Sequence, residues 1–373
     1  GSAAGGRDVA AVRAAGTARA AQAPRLLISC SKMSELAGMS PFTLQREAWQ
    51  KNLQWSFRDY YEEVCQADPS LRHEWDRAEQ EKRELDIATR QKLDTMLVRA
   101  IVDADGLAVD WQARVREVAP DISDNLAQWA ERKINFGRGH KAEAPSLQTV
   151  QGLDLQRAND DLRRAGRLRQ LLEEPLPPGR QQRLEGRIRW LEEQAAISAQ
   201  PFQKSGRKYS ASIAPDICIS GMVDAVRHVA AGLTSADRAG AGGSDAGGAG
   251  VEGAGEELHI IEHKARQRSL FRRVKTYERV QCLGYLHMLK NHPDHADTTL
   301  RCYLLETCGE ESYREEVCES PELWDATVEE LSRQGERLLD FARRRAGAKE
   351  VRDWLEAMPQ LDGALPPWQS ARP

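Results

Sequence analysis

Two short apolar runs, each carrying an acidic residue, constrain the fold of this chain more than any other feature. The first run, at 217–226, reads ICISGMVDAV, and the second, at 258–264, reads LHIIEHK. Both runs are apolar and contain several β-branched residues, which is typical of buried strands. A carboxylate inside such a strand is costly unless its charge is compensated. The runs therefore predict a buried sheet with Asp224 and Glu262 at a functional position.

The second run places an acid and a base on one face of its strand. Side chains alternate across a strand, so we expect Glu262 and Lys264 on the same face and His263 on the other. Asp224 and Glu262 on neighbouring strands can share one hard cation through oxygen ligands. Lys264 would then hold or deprotonate an attacking water, or stabilise charge on a phosphate, beside the metal as Lewis acid. Each fragment alone is also compatible with a buried aspartate and a surface Glu–Lys pair.

A basic stretch and a short helical pattern follow. Between Lys264 and Arg279 the chain has seven basic residues and one acid, Glu278. Beyond it, Gln281 and Tyr285 are four residues apart and so share a helix face. A basic run alone is usually a solvated surface, but beside a metal site it suits phosphate binding. We therefore expect DNA contacts from Arg266, Arg268, Arg272, Arg273, Lys275 and Arg279.

Taken in order, the strings Gly221-x-x-Asp224, Glu262-x-Lys264 and Gln281-x-x-x-Tyr285 resemble the PD-(D/E)xK nuclease superfamily, in particular its RecB-like, lambda-exonuclease and YqaJ branch. Upstream, Gly139-x-x-x-Glu143 is similar to the GxxxE element of that branch, and Ser34–Phe42 is similar to the YqaJ opening turn. The resemblance covers about residues 28–345. It implies an α/β fold: a restriction-endonuclease-like mixed central β-sheet flanked by helices, with an added helical N-terminal region and a helical-hairpin insertion.

The resemblance also implies a set of site residues and a cofactor, Mg²⁺ (or Mn²⁺). Asp216, which follows Pro215, is the alternative to Asp224, because the Pro-Asp of the family could be sought there. Asp224 is preferred because it keeps the GxxD form. The implied catalytic residues are Asp224, Glu262, Lys264, Gln281 and Tyr285, and the implied metal ligands are Glu143, Asp224, Glu262 and the backbone carbonyl of His263.

The function implied by the resemblance is that of a metal-dependent deoxyribonuclease that hydrolyses DNA phosphodiester bonds. An exonuclease of recombination, repair or genome maintenance is the leading form. The alternatives are a structure-specific endonuclease and a catalytically inactive nuclease-fold DNA-binding protein. DNA is the expected partner, and a homo-oligomer is possible because lambda-exonuclease relatives can form rings.

Composition bounds the compartment and the cofactors. The net charge is −4, so no global basic character is present. Seven cysteines with no signal peptide and no apolar run of membrane length favour an intracellular, reducing compartment without membrane association. The pattern does not choose among nucleus, organelle and bacterial or viral cytoplasm. An iron–sulfur cluster is not expected, because the candidate cysteines lack a close Cys-x-x-Cys pair. They are Cys30, Cys302, Cys308 and Cys318.

Breaks in composition divide the chain. The helical hairpin is expected on either side of the segment 175–179, which reads PLPPG, and is either solvent-exposed or a small clamp over DNA. The expected parts are a disordered tail at 1–24, the helical N-terminal part of the nuclease domain at 25–149, the helical-hairpin insertion at 150–200, the nuclease core at 201–345 with a disordered Gly/Ala-rich loop at 231–257, and a C-terminal tail at 346–373.

Overall fold

The computed structural model of this chain describes residues 25–102, 109–173, 175–229, 256–266, 269–309 and 311–359. The side chains of residues 139–147, 149 and 153 are not described. The expected tail at 1–24 and nearly all of the expected loop at 231–257 lie outside these ranges. Among the described residues, no helix is both long enough and apolar enough to cross a membrane.

The N-terminal half is mainly helical, and polar side chains fix where its helices begin. Asp110 accepts a hydrogen bond from the Ala113 backbone N–H, and Ser123 accepts one from that of Leu126. Each cap satisfies a backbone donor that has no partner within its helix. The elements are β1 (Leu26–Ser29), α1 (Met33–Leu36), α2 (Gln45–Ser56), α3 (Arg58–Ala67), α4 (Glu74–Glu84), α5 (Ile87–Val102), α6 (Trp111–Val118), α7 (Asp124–Leu171) and α8 (Pro178–Ala199).

The C-terminal half carries the other strands and the helices that cover them. The fold is mixed α/β, so the expected class is confirmed at that level. The elements are β2 (Gln203–Lys204), β3 (Tyr209–Ala214), β4 (Ile217–Gly221), β5 (Ala225–Val229), β6 (Glu257–Ala265), α9 (Thr276–Lys290), β7 (Thr299–Cys308), β8 (Glu311–Glu316), α10 (Pro321–Arg344) and α11 (Ala348–Glu356).

The described strands form two mixed sheets, whereas the sequence predicted one central sheet. The first has the order β1-β4-β3, with β1 parallel and β3 antiparallel to β4. The second has the order β2-β5-β6-β7-β8, in which only β6 and β7 are parallel. The run 217–226, expected to be one strand, therefore supplies two. The chain leaves β4 after Gly221 and enters β5 at Ala225, and it changes sheets across 222–224.

The main hydrophobic core lies between these sheets and helices α1–α3 and α9–α11. Helix α11 corrects the expected tail at 346–373, because residues 348–356 are helical and pack onto this core. Its apolar residues Val351, Trp354 and Leu355 follow helical spacing and are buried. The Trp354 indole N–H donates to Gln334 Oε1 at 2.7 Å.

Helix α7 is one continuous helix of 48 residues, and the expected boundary at 149/150 falls inside it. Its first half packs with α4–α6 around a second core. Farther along, Val150 contacts a cluster that contains Ala225, Ile261 and Leu305 of the five-stranded sheet. The base of the hairpin is therefore part of the sheet packing, and its far end packs as a separate cluster around Ala165, Ile188 and Leu191.

A buried ion pair fastens α7 to the sheet. Asp154 Oδ2 accepts from an Arg227 guanidinium nitrogen at 2.6 Å and from Arg314 at 3.2 Å. The side chains of Asp154 and Arg227 are 8% and 2% exposed. Burial lowers the pKa of Arg227, and its bond to Asp154 opposes that shift. Such a pair is costly to break, because the remaining charge stays buried without compensation.

We expect Asp154→Asn to destabilise the fold by about 3 kcal/mol, since it leaves Arg227 as an uncompensated buried cation. The matched control is Asp160→Asn on the same helix, where an exposed carboxylate lies 3.5 Å from Arg163. That change should cost less than about 1 kcal/mol. Urea denaturation of the two variants measures both values, and equal losses would contradict an anchoring role for Asp154.

Candidate active site

Four of the predicted side chains form one hydrogen-bonded group where β6 faces α9. Glu262 Oε1 accepts from Lys264 Nζ at 2.5 Å and from Gln281 Nε2 at 2.8 Å. Gln281 Oε1 accepts from Lys264 Nζ at 3.1 Å, and Gln281 Nε2 also donates to the Tyr285 hydroxyl at 2.8 Å. Strand alternation brings Glu262 and Lys264 together, and the four-residue helical spacing brings Gln281 above Tyr285.

Glu262 is the electrostatic centre of this group. It is 3% exposed, and its second oxygen, Oε2, has no hydrogen-bond partner among the described residues. Burial and the nearby Asp224 carboxylate raise the pKa of Glu262 to about 7, against the opposing effect of Lys264. A buried carboxylate oxygen without a partner is costly, so this position favours a cation or a polar ligand.

Asp224 lies immediately before β5 and opposite Glu262. The side-chain oxygen Oδ2 accepts from the His263 backbone N–H at 2.7 Å. This bond continues the β5–β6 ladder, in which Ala225 pairs with Ile261. The strand pairing therefore holds the Asp224 carboxylate beside Glu262, as the sequence predicted for neighbouring strands.

Lys264 is half-buried, and two acceptors take its hydrogen bonds. Burial lowers its pKa, but the charge and hydrogen bond of Glu262 outweigh burial, so the pKa of Lys264 is raised. Lys264 therefore carries a positive charge in this arrangement. An ammonium can orient water or stabilise charge on a phosphate, which are two of the three roles predicted for it.

Cys30, which sequence reasoning did not assign to the site, fills the space behind Gln281. Its Sγ donates to the Gln281 backbone carbonyl at 3.2 Å. A Cβ at Gly221 would lie 2.9 Å from the Cys30 Cβ, and a Cβ at Gly284 would lie 2.5 Å from its Sγ. Both glycines therefore allow close approach. Gly221 and Gly284, three residues from Asp224 and Gln281 respectively, are the sequence features that could have indicated this close packing.

We expect Gly284→Ala to destabilise the protein by about 2 kcal/mol, because the added methyl overlaps Cys30 and Met33 in a packed interior. The matched control is Gly186→Ala in α8, where nothing lies within 4 Å of the new Cβ. That change should be neutral or stabilising, since alanine favours a helix by about 1 kcal/mol. Melting temperatures compare the two variants, and a stabilised Gly284→Ala protein would contradict the close contact.

Arg266 is placed differently from its predicted role as a DNA contact. Its guanidinium pairs with Glu278 and Glu306, and Nε donates to Glu306 Oε1 at 2.7 Å. Both glutamates are fully buried, and the Arg266 side chain is 15% exposed. It also stacks over Phe271 at 4.2 Å. Arg266 therefore joins β6, β7 and α9 beneath the site and does not face solvent for a phosphate.

The rest of the predicted basic patch is divided. Arg272 pairs with Glu311 at 3.0 Å at the surface, and Lys275 lies over the Phe271 ring at 4.7 Å. Arg273 is exposed and Arg279 half-buried, and neither pairs with a carboxylate in the described ranges. Arg268 lies outside the described residues. Arg273 and Arg279 are thus the members whose guanidinium groups have no described carboxylate partner.

The remaining predicted ligands are placed as follows. Asp216 lies in the turn before β4, at the opposite end of that strand from Asp224, and pairs with Arg343 at 2.6 Å. It is therefore not part of this group. Glu143 lies in α7, but its side chain is outside the described ones. The His263 ring points away from Glu262 and its Nε2 lies 2.8 Å from Thr307 Oγ1, so only its backbone can face the site.

Two of the cysteines weighed for a cluster lie on one strand. Cys302 and Cys308 are six residues apart on β7, or about 20 Å along an extended chain. That separation is too large for ligands of one cluster. Cys30, in contrast, lies beside the catalytic candidates.

The donor set fits a small hard cation in part. Among the described side chains no group of three or more His, Cys, Asp or Glu is arranged to hold a metal. Asp224 and Glu262 supply two carboxylates, and Oε2 of Glu262 is buried without a hydrogen-bond partner among the described residues. Two oxygen donors with water completing the shell are typical of magnesium sites. The two carboxylates are thus compatible with Mg²⁺ or Mn²⁺. The nearby Cys30 thiol donates to the Gln281 backbone carbonyl.

Comparisons with known proteins add no relative. No protein family model matches the chain, and no curated protein or solved structure does.

Proposed function

We propose that this chain is a metal-dependent deoxyribonuclease that hydrolyses DNA phosphodiester bonds. The observation that carries the proposal is the burial and hydrogen bonding of the Glu262 carboxylate. This buried carboxylate offers one oxygen to Lys264 and Gln281, while its other oxygen has no described hydrogen-bond partner. Burial raises the pKa of Glu262, and the charge of the Asp224 carboxylate contributes to that rise. An acid pair with an adjacent lysine suits cation binding and phosphate chemistry, and a purely structural ion pair needs neither the second acid nor the unpartnered oxygen.

The chemistry proposed is one-step hydrolysis. The oxygen of a water molecule forms a bond to phosphorus, the bond from phosphorus to one ester oxygen breaks, and a proton reaches the leaving oxygen. When bound, Mg²⁺ or Mn²⁺ would supply Lewis-acid activation at Asp224 and Glu262. Lys264 would orient the water or stabilise the charge on the phosphate oxygens. The Gln281 amide, bonded to both Lys264 and Glu262, would keep these two side chains in position.

Several finer points of the proposal rest on the resemblance to the PD-(D/E)xK superfamily. They are the restriction-endonuclease-like arrangement of the sheet, the exonuclease mode and a role in recombination, repair or genome maintenance. A homo-oligomer also remains a prediction, which light scattering of the purified protein would test.

The direct test is cleavage of end-labelled linear DNA and of closed circular DNA, each with Mg²⁺ and with EDTA. An exonuclease degrades only the linear DNA, and an endonuclease also opens the circle. Binding without cleavage of either DNA in Mg²⁺ or Mn²⁺ would support the inactive DNA-binding alternative and refute the enzyme proposal.

A further inference from the structure

The far end of the α7–α8 hairpin packs on itself, in a cluster separate from the one that joins its base to the sheet. From Asp154, where α7 is fastened to β5, the helix runs 17 more residues to Leu171, or about 26 Å at 1.5 Å per residue. Here the helices pack through Ala165, Ile188 and Leu191. We call residues 155–190 the distal hairpin.

The distal hairpin has the opposite charge balance to the whole chain. Residues 155–190 carry nine arginines against five acidic residues, and Glu192 and Glu193 follow directly in α8, whereas the chain has a net charge of −4. An ion pair between Arg169 and Glu192 marks one side of the hairpin. A second acid, Glu185, lies on the same side of α8 as Glu192, seven residues or about two turns away.

Most of the arginines lie on the other side. A helix turns about 100° per residue, so four arginines of α7 lie at least about 120° round from Arg169. One of them, Arg163, pairs with Asp160 at 3.5 Å and is left out of the set below. Three of α8 lie equally far round from Glu192. All six are exposed, and Asp161, 3.5 Å from Arg164, is the described carboxylate paired with them. We call this set the basic face: Arg157, Arg164, Arg167, Arg180, Arg183 and Arg187.

The chemistry of the basic face suits a polyanion with regularly spaced charges. Guanidinium groups bind phosphate through paired hydrogen bonds and stay charged at every physiological pH. Arg157 and Arg167 are about 15 Å apart along the helix. Duplex DNA presents one negative charge per about 1.7 Å of its axis, so several phosphates face that length. The exposed Leu155 and Leu162 lie on the Arg169 side, and of the three exposed leucines in this part of α7 only Leu171, at the end of the helix, lies on the side of the basic face. A single leucine at the helix end does not form an apolar strip that would enter a membrane.

We infer that the basic face binds the phosphate backbone of DNA outside the segment held at the catalytic strands. The buried Asp154–Arg227 pair links the hairpin to β5, which begins one residue after Asp224. DNA on the basic face is thereby held at a fixed distance from Glu262. The inference rests on the proposed nuclease function for the choice of DNA as the polyanion.

The test compares two exposed arginines of α8 with opposite placement. Arg183 belongs to the basic face. Arg189 lies about 60° from Glu192, on the side of α8 away from the basic face. Binding of a fluorescein-labelled 30-base-pair duplex is measured by anisotropy in EDTA at several salt concentrations. Arg183→Gln should reduce the slope of log K against log salt by about 1, and Arg189→Gln should leave it unchanged.

A triple variant gives the larger effect. Arg167→Gln, Arg180→Gln and Arg183→Gln together should reduce the salt slope by about 3 and weaken binding about 10- to 100-fold at 0.05 M salt. All three side chains are exposed, so the melting temperature should match the wild type. Equal slopes for Arg183→Gln and Arg189→Gln, or wild-type affinity in the triple variant, would overturn the inference. So would arginine-dependent binding to phosphatidylserine vesicles by a protein that does not bind the duplex.

Failure of this inference and failure of the proposed function are distinguishable, because binding is measured without metal. A protein that binds DNA through the basic face but cleaves nothing in Mg²⁺ or Mn²⁺ supports the basic face and refutes the nuclease. A protein that cleaves DNA while the triple variant binds like the wild type supports the nuclease and refutes the basic face.

Discussion

Replacing Lys264 with alanine should lower the rate of DNA cleavage by about 100-fold or more, while DNA binding stays within about threefold. Loss of one donor that stabilises charge in a reaction costs about this much. A single phosphate contact among many contributes little to binding. Single-turnover cleavage of labelled DNA in Mg²⁺ and anisotropy in EDTA measure the two quantities separately.

The control for Lys264→Ala is Lys290→Ala, which removes a surface lysine that pairs with Glu319 at the end of α9. It should leave both cleavage and binding unchanged. Comparison of melting temperatures shows whether Lys264→Ala retains its fold. A folded Lys264→Ala protein that cleaves at the wild-type rate would remove Lys264 from the mechanism.

Magnesium should stabilise the wild-type protein, and this effect should disappear in Glu262→Gln and Asp224→Asn together with cleavage. A ligand at 100 times its dissociation constant adds about 2.7 kcal/mol to the free energy of unfolding. For a chain of this size that corresponds to a rise of about 3 °C in melting temperature. Manganese should act like magnesium, and calcium should support DNA binding without efficient cleavage, since it accepts looser coordination.

Asp216→Asn is the matched control for the metal site. It removes a carboxylate that pairs with Arg343 at the far end of β4, and so it should keep both the thermal shift and the cleavage. The same variant decides between the two aspartates that the sequence left open. Full cleavage in excess EDTA, or an unchanged Mg²⁺ shift in both Glu262→Gln and Asp224→Asn, would refute the metal site.

Local rules predict two parts of the candidate site, although not the contact between them. Strand alternation predicts the shared face of Glu262 and Lys264, and helical spacing predicts that of Gln281 and Tyr285. Both patterns act over two to four residues, so they can be read without knowledge of the tertiary structure. The α/β class was implied by the resemblance to a nuclease superfamily, and the structure confirms it at that level.

The features that the sequence did not reveal depend on partners distant along the chain. Arg266 read as a phosphate contact because its neighbours are basic, but its partners Glu278 and Glu306 are 12 and 40 residues away. The sequence does not distinguish Asp154 from the other acids of this charged helix, because its partner Arg227 is distant along the chain. The sequence does not reveal that the chain changes sheets at 222–224. Val223 in this connection is apolar, and at 1% exposure it is as buried as a strand residue.

The bond from the His263 N–H to Asp224 couples the position of this carboxylate to strand pairing. Asp224 Oδ2 occupies a place in the ladder between β5 and β6 that a backbone carbonyl ordinarily fills. At the proposed metal site, a cation that takes both oxygens of Asp224, as calcium often does, would share Oδ2 with the His263 N–H and weaken that bond. A smaller cation that takes one oxygen leaves the ladder intact. Discrimination between the two ions would thus be measurable as a difference in amide exchange at His263.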